Sequence, residues 1–214
     1  MISLDLGTGP LRILCLGAHC DDIEIGCGGT LLRLLAERPG SSVDWVVFSA
    51  NPEREREGRA SAAEFLRGAS AHKVQIQGFR ESFFPAAWSE IKEHFGRVRR
   101  GVEPDLVFSH YRHDLHQDHR VISELTWNTF RNHLVLEYEI PKWEGDLGSP
   151  NLYVPLPRGV ADTKVELLHR HFASQADKPW FRPDTFHGLM SIRAVECQAP
   201  EGRAEAFHAR KLTI

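Results

Sequence analysis

Apolar positions fall into short runs separated by stretches of helical periodicity. Residues 12–17 (Arg-Ile-Leu-Cys-Leu-Gly) have the length and polarity of a buried strand. Beyond them Leu31, Leu32 and Leu35 recur at helical spacing within 29–36, so the first pattern is strand, loop, helix. Residues 42–50, with Val43, Trp45, Val46, Val47 and Phe48, predict a second strand, and the charged, Ala-containing 55–66 a second helix. A third pair follows at 73–77 and 88–100, and Pro104 introduces a fourth strand at 105–109, followed by a helix over 119–131. Residues 134–139 predict another strand. The pattern then loosens through Pro141, Gly145, Gly148, Pro150, Pro155 and Pro157, with a helix expected over 162–172, started by an Asp cap, and another after Pro183.

Strands separated by helices of this length pair in parallel through right-handed crossovers. The expected fold is therefore α/β, a Rossmann-like three-layer sandwich around a mostly parallel sheet. No internal repeat, low-complexity tract or linker divides the chain, so 1–214 is expected to form a single domain. With 214 residues, 42% of them hydrophobic and 26% charged, the chain is neither disordered nor fibrous and is long enough to bury a substantial core. A net charge of -3 provides no general attraction to phosphate backbones, so nucleic acid is not an expected partner. Cys15, Cys20, Cys27 and Cys197 form neither a CxxC pair nor a disulfide scaffold, which suits a reducing cytoplasm. No run approaches the ~18 apolar residues of a membrane span, and no leader pattern opens the chain, so the expectation is a soluble cytoplasmic protein.

In open α/β sheets ligands bind beyond the carboxyl ends of the strands. The segments that follow strands one and four are both rich in metal-ligand side chains. The first, from Gly17 to Thr30, carries His19, Asp21, Asp22 and Glu24; the second carries His110, His113, Asp114, His116, Asp118 and His119. A dinucleotide site is the rival for a Gly-rich turn in this place. The spacing does not match GxGxxG, however, and three carboxylates would repel a pyrophosphate. Imidazole and carboxylate are instead the ligand types of catalytic zinc, which keeps three protein ligands and one open position. His19, one Asp of the first segment and one His of the second would supply that set, leaving the other acid as a base.

Ala18-His19-x-Asp21-Asp22-x-Glu24-x-Gly26-x-Gly28-Gly29-Thr30, followed in order by His116-Gln117-Asp118-His119-Arg120-Val121, resembles the LmbE/PIG-L family of zinc-dependent N-deacetylases. The resemblance implies His19, Asp22 and His119 as ligands of Zn²⁺ and Asp21 as general base. It implies His116, protonated, as the group that stabilises the tetrahedral oxyanion and can protonate the leaving amine. Cys20 and Gln117 stand where the family often has Pro. Arg54 or Arg56, in the charged run after strand two, matches a substrate-contacting arginine, and the sequence does not choose between them. Asp118 is expected to orient a neighbouring histidine through its outer ring nitrogen. His110 and His113 read as core or surface residues rather than ligands, Glu24 as a supporting charge, and Gly26, Gly28 and Gly29 as sites of close packing. Trp143 and Trp180, in Pro- and Gly-containing loops, are candidates to stack on a sugar ring.

The implied function is zinc-dependent removal of an N-acetyl group from an amino sugar or glycoconjugate, a small-molecule substrate, with homo-oligomerisation left open. Two other classes compete: a nucleotide-binding Rossmann module and a non-catalytic metal- or sugar-binding protein. Asp21 argues against the latter, since binding alone needs ligands but no base.

Overall fold

The computed structural model describes residues 1–213. Five parallel strands form most of the sheet: β1 (Arg12–Gly17), β2 (Ser42–Val47), β3 (Ala71–Ile76), β4 (Leu106–His110) and β5 (Leu134–Tyr138). β6 (Leu152–Pro155) and β7 (Ala204–Ala209) complete it antiparallel, in the order β3-β2-β1-β4-β5-β7-β6. The helices are α1 (Asp22–Glu37), α2 (Pro52–Phe65), α3 (Trp88–Gly101), α4 (Gln117–Thr129), α5 (Arg158–His171) and α6 (Pro183–Cys197). Alternate strand positions feed two cores. Ile13, Cys15, Trp45, Phe108 and Tyr138 face α1, α2 and α5, while Leu14, Leu16, Val46 and Val107 face α3 and α4. Both faces of the inner parallel strands are thus covered, which is why β1 and β4 read as apolar runs, while the edge strand β3 is exposed or half-buried throughout and does not. Among the described residues no helix is long and apolar enough to cross a membrane.

Three expectations shift. Helix α1 begins at Asp22 rather than residue 29, so the Gly-rich motif is helix and not loop. Helix α5 begins at Arg158 behind Pro157, with Asp162 inside it instead of capping it. Strands β6 and β7 were not expected. β6 has only four residues, all half-buried, between prolines. β7 is buried at every position yet contains Glu205 and His208, so it shows neither an apolar run nor alternation.

The charge in β7 is tied to α1. Glu205 accepts the N–H groups of Gly29 (2.9 Å) and Thr30 (2.6 Å), and it pairs with Lys164 of α5 at 2.5 Å. Lys164 also donates to the Ile25 carbonyl at 2.6 Å. The glycines let the surroundings close on this helix: a Cβ at Gly26 would collide with the Tyr138 ring, and one at Gly28 would lie 2.7 Å from Phe65. Helix α1 is thereby locked in place directly behind the turn that carries His19 and Asp21.

Candidate metal centre

The strand order reverses between β1 and β4, the place where open α/β sheets leave a crevice. The turn from β1 into α1 brings His19, Asp21 and Asp22 to this point, and the start of α4 brings His116, Asp118 and His119. His19 Nδ1 lies 3.4 Å from Asp22 Oδ2, His119 Nε2 3.5 Å from Asp22 Oδ1, and the two ring nitrogens 3.3 Å apart. One donor atom from each of the three therefore converges within 4.8 Å.

Each imidazole is held from behind by a different carboxylate. His19 Nε2 is 3.2 Å from Asp118 Oδ2, and His119 Nδ1 is 2.9 Å from Asp114 Oδ2. Asp118 was expected to serve a histidine beside it in sequence; it instead reaches across to His19, because α4 starts opposite the β1 turn. It is fixed there by the N–H groups of Ser82 (2.6 Å) and Phe84 (3.1 Å). Carboxylates on the outer nitrogens favour the tautomers whose inner lone pairs face the centre. Burial, then the neighbouring His110, lowers His119 to about 4 against the opposing pull of Asp22 and Asp114, so this ring is neutral. Burial also disfavours a charged His19, but Asp22 and the bond to Asp118 outweigh it and raise His19 to about 10. A proton thus sits where a cation would, a donor set suited to a divalent metal. Two further triplets, His19–His116–Asp118 and His110–Asp114–His119, also converge. In each, the carboxylate is one that already holds an imidazole from behind, and the second triplet is buried throughout.

Asp21 precedes the first turn of α1, but its side chain makes no cap bond. It turns to Arg54, whose Nη2 lies 2.6 Å from Asp21 Oδ1. Asn51 caps α2 by accepting from the N–H groups of Glu53 and Arg54, and this fixes Arg54 in the first helical turn. Its guanidinium also meets Ser174 Oγ (3.2 Å), Glu57 (3.4 Å) and the Phe172 ring (5.1 Å to the centroid). Arg56 is exposed. Of the two arginines the sequence left open, Arg54 is the one joined to Asp21. Burial raises the Asp21 pKa and the Asp22 charge adds to this, while Arg54 and His19 oppose it.

His116 stands at the N-cap of α4, and its Nδ1 accepts the Asp118 N–H at 3.3 Å. Burial, then the charge on His19, lowers its pKa. The resemblance implies an imidazolium here; the surroundings favour a neutral ring, but one whose Nε2 still carries a hydrogen. His110 is fully buried beneath the centre, with Nε2 2.9 Å from the Ala18 N–H and 3.2 Å from Asp22 Oδ2, while His113 is exposed beside Tyr111. Burial pushes the Cys20 thiol up, and its Sγ points to the Ser49 carbonyl (3.8 Å). Burial likewise lifts Glu24 to about 8, and it accepts from the Ser61 hydroxyl at 2.6 Å. Trp143 is largely exposed and Trp180 half-buried. Lys142 and Asp146, which pack behind Asp114, carry no signal in the sequence: they lie in an irregular loop with no motif around them.

The fold is shared with solved structures of low sequence identity. N,N'-diacetylchitobiose deacetylase from Pyrococcus horikoshii matches with a TM-score of 0.73 at 19% identity, covering 93% of this chain and 83% of that one. The 4-carboxy-2-hydroxymuconate hydratase GalB from Pseudomonas putida KT2440 matches with a TM-score of 0.73 at 16% identity, covering 95% and 98%. A zinc-inhibited form of teicoplanin deacetylase Orf2 matches with a TM-score of 0.67 at 14% identity, covering 94% and 100%. Across residues 14–130, from β1 to the end of α4, the sequence matches the family described as PIG-L: GlcNAc-PI de-N-acetylase. That span contains both histidine-bearing motifs and the His19, Asp22 and His119 donor set, and the chain belongs to the PIG-L, or LmbE-like, family.

Proposed function

We propose that this protein is a zinc-dependent N-deacetylase that hydrolyses the acetamide of an N-acetylated amino sugar or glycoconjugate. The observation that carries the reading is a His19–Asp22–His119 donor set, each imidazole backed by its own carboxylate, beside a further buried carboxylate, Asp21, that lies outside the set. His19, Asp22 and His119 would hold the metal. When bound, zinc supplies Lewis acidity toward an amide carbonyl and makes water a better nucleophile near neutral pH.

The remaining steps fall to side chains of this chain. Asp21 takes the proton of the attacking water, and its burial brings its basicity toward the working range of a general base. Arg54 holds the carboxylate in one orientation and keeps it from being neutralised too readily. His116, its Nδ1 occupied by a backbone amide, offers Nε2–H to the oxygen that becomes negative in the transition state. The proton on Asp21 then passes to the departing amine.

GalB shares the fold and adds water to a carbon centre, so the fold alone does not select the bond attacked; family membership favours the amide. The test is release of free amine and acetate from a panel of N-acetylated amino sugars, glycolipids and glycopeptides. It is run with chelator-treated protein and again after zinc is restored. Zinc-dependent release from at least one member supports the reading. Zinc bound at the centre with no release from the panel would remove the deacetylase assignment, leaving hydration or metal binding.

A further inference from the structure

The segment between β5 and β6 sends one cation behind the centre. The Lys142 side chain is only 7% exposed, and its Nζ lies 3.0 Å from Asp114 Oδ2, 2.7 Å from both oxygens of Asp146 and 3.5 Å from the Ile140 carbonyl. Asp114 Oδ2 is the same atom that accepts His119 Nδ1–H, and Asp114 Oδ1 accepts the His116 N–H at 2.8 Å. Asp146 Oδ2 accepts the Leu115 N–H at 2.6 Å. One ammonium therefore joins two carboxylates. The first orients a donor ring and the entry to α4, and the second pins the chain between them.

We infer that Lys142 is a positioning residue for the metal centre: it holds Asp114 aimed at His119 Nδ1, so that His119 Nε2 faces inward. The inference rests on the reading of His119 as a ligand. Without Lys142, Asp114 and Asp146 would face each other with no cation between them, and their repulsion would turn one side chain away from its present partners. That change weakens the bond that fixes the His119 tautomer and makes its inner nitrogen basic. The bland alternative is an ion pair that merely anchors the 139–151 loop, and that role would affect stability without touching the metal.

The experiment measures zinc affinity by competition with a chromophoric chelator, alongside thermal unfolding of the metal-free protein, for Lys142→Met, Lys142→Arg and Asp146→Asn. Loss of a group that orients a ligand typically costs about 10–100-fold in metal affinity. The Met variant should show a loss in that range, and Arg, which restores the charge, should recover most of it. Asp146→Asn, which loosens the hold on the ammonium but keeps Lys142 in place, should show a smaller loss than Lys142→Met. If Lys142→Met does not fold, Lys142→Gln, too short to reach Asp114 and uncharged, should show the same loss. Wild-type zinc affinity in a folded, uncharged variant, with only the unfolding temperature lowered, would overturn the inference. His119→Ala is run in parallel: if it retains zinc, the ligand assignment itself fails, whereas its loss of zinc beside an unaffected Lys142 variant sinks only the role given to Lys142.

Discussion

Arg54 and Asp21 form a largely covered ion pair beside the centre, with Nη2 2.6 Å from Oδ1 and both side chains at most 12% exposed. The pair sets a conflict that a base can use. Burial raises the Asp21 pKa, and the guanidinium resists. Removing Arg54 removes a positive charge, so the pKa must rise further. If Asp21 is the base, as proposed, catalysis needs it ionised, and the acidic limb of the rate profile should move to higher pH in Arg54→Ala. At neutral pH kcat/KM should fall about tenfold, short of the ~10²–10⁴ expected when a general base is lost outright. An acidic limb that stays in place while activity falls would assign Arg54 to substrate contact alone.

Asp21→Asn should retain zinc and lose ~10²–10⁴ in turnover, because it deletes the proposed base and leaves the proposed donor set whole. Asp22→Asn should behave in the opposite sense, since Asp22 faces both donor rings. Elemental analysis together with turnover distinguishes them. Metal lost from Asp21→Asn and kept in Asp22→Asn would exchange the two roles.

With His19 as a proposed ligand, metal binding becomes a competition with a proton. The His19 pKa of about 10 lies above the 6.5 of a free imidazole, while His119, at about 4, is already neutral near pH 7. Zinc affinity should therefore rise with pH up to about 10, with ~1 proton released per metal from His19. The metal-free protein should show the opposite trend. A group whose pKa is raised on folding contributes stability that is complete below its unfolded value and is lost through its folded value. Unfolding temperature without metal should thus decline between about pH 6.5 and 10, and His19→Gln should flatten that decline. Calorimetry in buffers of different ionisation enthalpy counts the protons; zero release at neutral pH would show that His19 carries none there.

The parts visible in the sequence are those where one residue type suffices for one physical task. The apolar runs of β1, β2 and β4 announce themselves because helices cover both of their faces, and the His and Asp spacing announces the centre. What the sequence conceals depends on partners distant along the chain. β7 is a buried strand with a glutamate in it, tolerable only because Lys164 and two amides of α1 meet that charge. Asp118 reaches His19 over 99 positions, and Lys142 reaches Asp114 from a loop without periodicity. Nor does a Gly-rich stretch declare itself helical when propensity opposes it; packing against Tyr138 and Phe65 is what favours the helix.

The Lys164–Glu205 pair should be a structural necessity. Both side chains are 3% exposed, so Lys164→Met leaves a buried carboxylate without its cation and should cost about 3–5 kcal/mol. The double variant Lys164→Met, Glu205→Gln should recover part of this, because the uncompensated charge is gone while the Gln carbonyl can still accept an amide N–H. Denaturant unfolding of the two single variants and the double variant yields the coupling. Additive losses would show that the two groups act independently on α1.

His116→Ala should lower kcat by roughly 10²–10³ with little change in zinc affinity, the expected consequence of losing one donor that acts on transition-state charge. The identity of the donor can be settled further. The Asp118 amide occupies Nδ1, so a neutral ring already presents Nε2–H, and burial with the His19 charge works against a second proton. If the ring acts as a neutral donor, the basic limb of the rate profile belongs to another group and should persist in His116→Ala. His116→Gln, which brings an amide N–H without an ionisation, should recover part of the lost rate. If the ring acts as an imidazolium, as the family resemblance implies, the basic limb should vanish in His116→Ala and Gln should restore nothing. A rate profile over the alkaline range for wild type and both variants separates these outcomes, and loss of the basic limb would require the proton to the departing amine to come from His116 rather than Asp21.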